Sequence, residues 1–239
     1  MDHFQEIYAT KAAAYEAMVA TEDYQGNILP ALEKIRPFSQ TDIIELGTGT
    51  GRLVCMLAPY ARTIRAYDGS AHMLAVATEK LAKMEVLGKG VETAVSPNHA
   101  LPAPDASADI AIAGWSLAHC VGWFPESWRD EINAALSEMR RVLRPGGTLM
   151  LLETLGTGFE APTPPTAGLA ELYRWWENDH GFQSTWIRTD YQFASPAEGA
   201  YLTRFFFGDE LADRILRDQL TVLPECTGIW WWTKEDSKN

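Results

Sequence analysis

Short apolar segments alternate with helical segments between residues 42 and 153, and this alternation constrains the fold of the 239-residue chain more than any other feature. The strand-like segments run from "TDIIELG" to "TLMLLET", with "TIRAYDG", "VETAVSP" and "ADIAIAGWS" between them. Apolar strands that alternate with helices form a parallel sheet covered by helices on both faces. The sequence therefore predicts an α/β fold with a doubly wound sheet.

The segments on either side of this alternation differ from it. Residues 1–36 are predicted to be helical, with the alanine-rich "YATKAAAYEAMVA" followed by "ILPALEKI". Residues 37–155 hold the alternating core. Residues 156–239 open with the loop "GTGFEAPTPPTAG", after which we predict a helix, the strand "QSTWIRTDYQF", a helical segment over 195–220 and a final strand. This last part is too short for a second domain, so we predict one domain over 1–239.

Charge and cysteine content narrow the classes of partner. The net charge is −12, which disfavours nucleic acid as a partner because phosphate contacts need a basic surface. The three cysteines are widely spaced and form no C-x-x-C pair, which predicts a cytoplasmic protein without a structural metal site. No segment approaches the length of about 20 apolar residues that a membrane span needs. We therefore expect a small-molecule partner, and either a monomer or a homodimer.

A glycine-rich loop follows the first predicted strand. Glu45 ends the strand, and Gly47, Gly49 and Gly51 occupy alternate positions after it. Glycines here let the backbone turn sharply and approach a ligand closely, and the next helix points its N–H groups at that ligand. The third glycine of a dinucleotide fingerprint counted from Gly47 would fall on Arg52, and no G-K-[ST] follows. The loop is therefore typical neither of a pyrophosphate site nor of a P-loop.

Asp68 ends the second predicted strand, 21 residues after Gly47. An acid at this position is well placed to accept hydrogen bonds from both ribose hydroxyls of an adenosine. Asp68 can also be interpreted as a helix cap, although Ser70 already suits that role.

Taken in order, Glu45-x-Gly47-x-Gly49-x-Gly51, Asp68, "LPAPDASADIAIA" and "RRVLRPGGTLMLLE" resemble the motif series of class I S-adenosylmethionine-dependent methyltransferases. The resemblance covers roughly residues 42–153 and is greatest to the small-molecule branch that includes the ubiquinone/menaquinone-type methyltransferases. It implies a Rossmann-like sheet of seven mostly parallel strands, the last one antiparallel, and an N-terminal lid helix. It also implies S-adenosyl-L-methionine as the cofactor, S-adenosyl-L-homocysteine as the product, and in-line methyl transfer to a small, apolar or aromatic acceptor.

The same resemblance implies the cofactor contacts. Gly47, Gly49 and Gly51 would pass under the methionine and ribose, Asp68 would hold the ribose hydroxyls, and Glu45 would organise the loop. The other expected contacts are Tyr15, Thr48, Gly69, Met73, Asn98, His99, Trp115 and Ser116. Asn98 and His99 stand about where the family often has an acid near the adenine amino group, which is a departure from its pattern.

The acceptor pocket is expected among aromatic residues: Tyr8 on the lid helix, His119 after the fourth strand, and Tyr173, Trp176 and Trp186 in the C-terminal third. His119 is also the candidate general base, which the reaction needs only if the acceptor must lose a proton. Each assignment has an alternative. His119 can be a structural histidine, the aromatic cluster can belong to the core, and the N-terminal tyrosines can simply pack on the domain.

Three other functions are open to such a chain. A non-catalytic cofactor-binding or scaffold protein on the same fold is the main alternative. A nicotinamide oxidoreductase is disfavoured by the spacing of the glycines, and a nucleic-acid methyltransferase by the net charge of −12.

Overall fold

The computed structural model describes residues 3–235. Its strands form a seven-stranded sheet and a separate two-stranded sheet. The strands are β1 (Asp42–Leu46), β2 (Thr63–Asp68), β3 (Val91–Val95), β4 (Ala108–Gly114), β5 (Leu143–Thr157), β6 (Gln183–Arg188), β7 (Tyr191–Gln192), β8 (Val222–Leu223) and β9 (Glu225–Thr233). The helices are α1 (His3–Thr10), α2 (Ala12–Val19), α3 (Ile28–Ile35), α4 (Arg52–Leu57), α5 (Ala71–Lys83), α6 (His119–Trp123), α7 (Trp128–Val142), α8 (Ala167–Asn178), α9 (Pro196–Phe207) and α10 (Asp209–Arg217).

The strand order is β3-β2-β1-β4-β5-β9-β6. Strands β1 to β5 pair in parallel, whereas the last strand, β9, pairs antiparallel with both β5 and β6. The order reverses between β1 and β4, which is the position where doubly wound sheets bind ligands at the carboxyl ends of their strands. The expected seven-stranded sheet with an antiparallel last strand is therefore confirmed.

Two hydrophobic clusters cover the two faces of this sheet. Successive residues of β1 point to opposite faces, so Ile43 packs with Val54 of α4 and Leu81 of α5, whereas Ile44 packs with Leu136 of α7. Because both faces are covered, the central strands are apolar on both sides, as the sequence pattern predicts.

The structure divides several predicted segments. The chain over 183–193 is split between β6 and β7, since the second strand joins a separate two-stranded sheet, and the Arg188 side chain donates to Asp190 (2.8 Å) at the break. The helical segment over 195–220 is broken at Gly208, whose φ of +89° no helix accommodates. Strand β5 begins before "TLMLLET" and includes the "RPGG" segment, where the pairing with β4 changes register. The region 1–36 forms three helices, and residues 1 and 2 lie outside the described part.

The helices α1 and α2 lie against the core near the carboxyl ends of the strands. The Ser70 hydroxyl donates to the carbonyl oxygen of Tyr8 (3.2 Å), and the Lys80 ammonium is 2.6 Å from the Glu16 carboxylate. Met18 packs in a third hydrophobic cluster formed mainly by α9 and α10. These contacts hold the N-terminal segment over the edge of the sheet at which a ligand is expected.

Two further findings concern the described residues as a whole. Within residues 3–235 we find no helix long and apolar enough to cross a membrane. The same part of the chain contains no group of three His, Cys, Asp or Glu residues arranged to hold a metal ion, and Cys55, Cys120 and Cys226 are free thiols.

Candidate functional site

A cavity of about 600 Å³ lies at the carboxyl ends of β1 to β4, beneath α1 and α2. Most of the residues that the sequence predicts for the site border it. They are Tyr8, Tyr15, Glu45, Gly47, Thr48, Gly49, Asp68, Gly69, Met73, Asn98, His99, Trp115, Ser116 and His119. The parallel strands bring them together because their carboxyl ends meet at one edge of the sheet.

The glycine loop adopts a conformation that other residues rarely accept. Gly47, Gly49 and Gly51 have φ values of +63°, +57° and +86°. A Cβ atom on Gly47 would lie 2.0 Å from Oγ of Ser116, so the loop can approach the end of β4 only with glycine there. Gly51 does not border the cavity. A Cβ at this position would lie 2.9 Å from Cβ of Ala77, so Gly51 instead allows α4 to pack closely against α5.

Asp68 joins the glycine loop to the start of α5. Its carboxylate accepts hydrogen bonds from the backbone N–H groups of Gly49 and Ser70, both at 2.7 Å. Burial raises the pKa of Asp68, and these two N–H donors partly offset that rise. The Ser70 hydroxyl caps α5 by accepting from the N–H of Met73 (3.3 Å). Asp68 therefore fixes the shape of the loop as well as bordering the cavity.

Two buried polar atoms at the base of the loop have no partner within residues 3–235: Oε2 of Glu45 and Oγ1 of Thr48. Glu45 is only 2% exposed, and burial together with the nearby Asp68 raises its pKa well above the usual value. Buried polar atoms normally have hydrogen-bond partners. Both residues border the cavity, so their unused bonding capacity fits a ligand with polar groups at this end.

The opposite wall is aromatic and comes from α1, α2 and α6. The Tyr8 hydroxyl and Nε2 of His119 share a hydrogen bond of 2.8 Å. The Tyr8 ring packs edge-on against Tyr15 at a centroid distance of 5.5 Å, and His119 stacks on Trp123 at 4.9 Å. Burial raises the pKa of Tyr8 well above its usual value, so the phenol remains protonated at neutral pH. A weakly polar wall therefore faces the polar glycine loop.

Glu153, near the carboxyl end of β5, supports this wall, although the sequence analysis does not select it. One oxygen, Oε1, accepts hydrogen bonds from the backbone N–H groups of Ser116, Leu117 and Ala118 at 3.2, 3.0 and 3.0 Å. Burial raises the pKa of Glu153 to about 8, against the effect of these three donors. The sequence pattern that could have identified Glu153 is an acid in the last part of an apolar strand, which is the same pattern that identifies Glu45 and Asp68.

Arg52 borders the cavity and is likewise a residue that the sequence analysis does not assign to the site. Its guanidinium forms an ion pair with Glu22 (2.8 Å) and lies over the Trp115 ring, with its central carbon 4.0 Å from the ring centroid. Trp115 has a φ of +51°, which is unusual for a residue other than glycine. The contact with Arg52 helps to hold the indole at the end of β4.

Tyr173, Trp176 and Trp186, which the sequence analysis places in the acceptor pocket, are not brought to this cavity. The Tyr173 hydroxyl donates to the carbonyl oxygen of Thr154 (2.7 Å), and Trp176 is completely buried in the core. Trp186 lies on β6, at the edge of the sheet, and is 44% exposed. The reason is topological, because α8 packs on the sheet and β6 is separated from β5 by β9.

Residues 44–151 match the family model described as "Methyltransferase domain". The chain is 29% identical over 151 residues to malonyl-(acyl-carrier protein) O-methyltransferase of Serratia marcescens, which covers 63% of this chain and 52% of that protein. It is 33% identical over 135 residues to demethylmenaquinone methyltransferase of Thermus thermophilus, which covers 55% of this chain and 52% of that protein. The chain thus spans about half the length of these curated relatives.

The fold is shared with solved structures over nearly the whole chain. The crystal structure of a SAM-dependent methyltransferase from Aquifex aeolicus aligns with a TM-score of 0.55 and 15% identity, and the alignment covers 97% of this chain and 98% of that one. At this level of identity the similarity concerns the fold alone.

Proposed function

We propose that the protein transfers a methyl group from S-adenosylmethionine to a small, apolar or aromatic molecule. The match of residues 44–151 to the methyltransferase domain model and the fold shared with a SAM-dependent methyltransferase support this proposal. One observation carries the proposal. The glycine loop, Asp68 and the Tyr8–His119 pair all border the same cavity, which is polar on one side and aromatic on the other.

The residues at the cavity suit this cofactor. Glycine at position 47 leaves the loop backbone free to run beneath a bulky ligand, and Asp68 would accept the ribose hydroxyls. The unpartnered oxygens of Glu45 and Thr48 would meet the polar amino-acid tail. An uncharged ribose and a zwitterionic tail need acids and hydroxyls, whereas a pyrophosphate would need N–H donors and cations. When bound, S-adenosylmethionine supplies an electrophilic methyl group on a sulfonium.

The aromatic wall would orient the acceptor and exclude water. Tyr8, Tyr15 and Trp115 offer apolar faces to a flat acceptor. Holding an acceptor in line with a reacting group can lower a barrier by ~7–11 kcal/mol. Where the acceptor is a hydroxyl, its proton must leave, and His119 is the candidate proton acceptor. Because Tyr8 stays protonated, its hydroxyl would fix the orientation of the His119 ring instead of acting as the base.

Calorimetric titration with S-adenosylmethionine and S-adenosylhomocysteine tests the cofactor. We expect micromolar binding that weakens about 10- to 100-fold in Asp68→Ala, because hydrogen bonds to a charged group are lost. The control is Asp179→Ala, which removes an exposed acid at the end of α8, remote from the cavity. Absence of binding by the wild-type protein would contradict the proposal.

Turnover is tested separately, by measuring the formation of S-adenosylhomocysteine. The acceptor panel should include phenols, amines and thiols, together with a malonyl thioester and a naphthoquinol, because the named relatives suggest the last two. Methylation of any small acceptor supports the enzymatic function. Cofactor binding without turnover across the whole panel would instead favour the non-catalytic alternative.

A further inference from the structure

Glu131 is a carboxylate at the cavity that has no role in the site described so far. It lies in the first turn of α7, whereas Glu45 and Asp68, which also border the cavity, lie at the glycine loop. Within residues 3–235, no hydrogen bond or ion pair uses the Glu131 carboxylate. A carboxylate that borders a cavity and has no partner in the protein is available to a ligand.

The turn between α6 and α7 places the start of α7 beside the aromatic wall. Only residues 124–127 separate the two helices, and within this turn the N–H of Ser127 donates to the carbonyl oxygen of Phe124 (3.0 Å). The N–H of Glu131 in turn donates to the carbonyl oxygen of Ser127 (3.1 Å). The first turn of α7 is therefore held close to α6, the helix that carries His119 and Trp123 of the aromatic wall.

The charge of Glu131 acts on α6. Burial, followed by the charge of Glu131, raises the pKa of the Cys120 thiol to about 12. Cys120 borders the cavity and directly follows His119, the candidate proton acceptor, and Trp123 and Phe124 border the cavity about one helical turn later. The carboxylate thus lies on the side of the cavity that we expect to hold the methyl acceptor.

The charges that border the cavity favour a cation there. Among the bordering residues of the described range 3–235, Arg52 is the only lysine or arginine, and the Glu22 carboxylate already pairs with its guanidinium at 2.8 Å. Asp68 accepts hydrogen bonds from two backbone N–H groups, whereas Glu131 has no such donor. Opposite charges attract more strongly where water is excluded. A positively charged group is therefore the ligand that Glu131 would stabilise most.

The aromatic rings of α6 suit the same kind of ligand. Trp123 lies 4.9 Å from His119 and 6.4 Å from Tyr8, measured between ring centroids. The faces of aromatic rings attract cations, so rings and a carboxylate together stabilise a protonated amine. A neutral hydroxyl would gain one hydrogen bond to Glu131 but no attraction between opposite charges. This side of the cavity can therefore distinguish an ammonium group from a hydroxyl group.

We propose that the methyl acceptor is a small aromatic molecule with a protonated amino group, and that Glu131 selects it by forming an ion pair with that group. The inference rests on the proposed function and names the class of its acceptor. The paired nitrogen has no lone pair, so it positions the acceptor while the methyl group goes to another atom of the acceptor. Glu131 thus determines specificity and takes no part in bond formation.

Matched pairs of small molecules test the proposal. Tyramine and 4-ethylphenol differ by one amino group, and phenethylamine carries an amino group where 2-phenylethanol carries a hydroxyl. Each is titrated calorimetrically into the protein saturated with S-adenosylhomocysteine. We expect the wild-type protein to bind the amine of at least one pair about tenfold more tightly than its neutral counterpart, because hydrogen bonds to charged groups are the stronger ones. In Glu131→Gln, which keeps the size of the side chain, the affinity for this amine should fall to that of the counterpart, whose own affinity stays the same.

Turnover gives a second measurement. For any amine that the protein methylates, Glu131→Gln should raise KM about tenfold and leave kcat unchanged, since the lost interaction is the same in the ground state and the transition state. The matched control is Asp130→Asn, which changes the net charge by the same amount and removes an exposed acid from the same turn of α7. This variant should keep the wild-type preference for the amine.

Each other outcome overturns the inference. If no amine binds more tightly than its neutral counterpart, or if Glu131→Gln weakens both members of a pair equally, the inference is wrong while the proposed function stands. Weaker binding of S-adenosylhomocysteine by Glu131→Gln, with the preference for the amine retained, would place Glu131 on the cofactor side and also overturn it. If the wild-type protein does not bind S-adenosylhomocysteine, the proposed function itself fails.

Discussion

The carboxyl edge of strands β1 to β4 and the C-terminal third of the chain differ in what their buried side chains contribute. At the carboxyl edge, Glu45 is buried with an unpartnered oxygen. In the C-terminal third, Tyr173 and Trp176 pack on Trp230 at centroid distances of 4.5 and 5.3 Å. Burying a polar group without a partner costs free energy, whereas burying an aromatic ring lowers the free energy of the folded state. Nε1 of Trp176 is also buried without a partner within residues 3–235, so in the second region this cost is set against close ring packing, whereas the unpartnered atoms of the first region border the cavity.

Among the variants that test this comparison, Trp176→Ala is expected to have the largest effect, and the effect is on stability. Trp176 is completely buried, so its removal should lower the free energy of unfolding by about 3–5 kcal/mol. Chemical denaturation measures this loss, and calorimetry should show an unchanged affinity for S-adenosylhomocysteine. The matched control is Trp186→Ala, whose 44% exposed ring should cost far less. A Trp176→Ala variant that kept its stability but lost acceptor binding would show that Trp176 lines the acceptor pocket after all.

Glu225 is a buried carboxyl group on β9, in the C-terminal third, and its Oε2 has no partner within residues 3–235. Burial, followed by the nearby Glu22, raises the pKa of Glu225 to about 8. Because the pKa of Glu225 is higher in the folded than in the unfolded state, its protonated form stabilises the folded protein. This stabilisation is complete below the unfolded-state pKa and is lost as the pH rises through about 8. Relative to Glu225→Gln, the wild-type protein should therefore lose about 3 kcal/mol of stability between about pH 5.5 and 8.

Urea titrations of both proteins at several pH values measure this difference. Glutamine keeps the shape of the side chain and the acceptor oxygen that the Thr154 hydroxyl uses (2.7 Å), so the variant isolates the charge. Parallel pH dependences in the two proteins would show that Glu225 is ionised at neutral pH. In that case the C-terminal third would contain a buried charge, and the comparison would weaken.

Gly47→Ala tests the carboxyl edge of the sheet. The new Cβ would combine an unfavourable φ of +63° with an overlap at 2.0 Å from Oγ of Ser116. We expect a loss of about 2–3 kcal/mol in stability together with weaker cofactor binding. Gly88→Ala is the control, because its φ is +70° but nothing lies within 4 Å of the added Cβ. Equal losses in the two variants would show that strain alone, and not the approach of the loop to Ser116, requires glycine.

The residues at the strand ends could be predicted from the sequence because few structures satisfy their pattern. An apolar strand, an acid and three alternate glycines allow a sharp turn at one edge of a parallel sheet, and the topology then places Asp68 next to that turn. The aromatic residues of the C-terminal third carry no such restriction. A tryptophan in a helix satisfies its hydrophobicity equally well in a core or in a pocket, so Trp176 and Trp186 could not be assigned from their residue type.

Contacts between segments that are distant in the chain could also not be predicted from the sequence. Glu153 holds the turn after β4 through backbone N–H groups, and a backbone donor leaves no mark in the sequence. Helix α7 packs beside the chain after β3, where the N–H of Leu101 donates to Glu138, a contact that local patterns do not encode. The charged residue after the loop, Arg52, is defined by its contacts with Glu22 and Trp115, which are also distant in sequence.

Tyr8→Phe has the smallest expected effect, and it tests whether the aromatic wall belongs to the binding region or only covers it. The variant loses the 2.8 Å hydrogen bond to His119, which should cost about 1 kcal/mol of stability. If His119 accepts a proton during the reaction, kcat should also fall about tenfold because the ring is no longer held in place. Burial keeps the pKa of Tyr8 well above its usual value, so the pH–rate profile should retain its shape on the basic side.

The control is Tyr15→Phe, which removes a hydroxyl from the ring packed edge-on against Tyr8. A loss of stability without any change in kcat would make the wall a cover over the cavity, and the chemistry would then depend on the glycine loop and Asp68 alone.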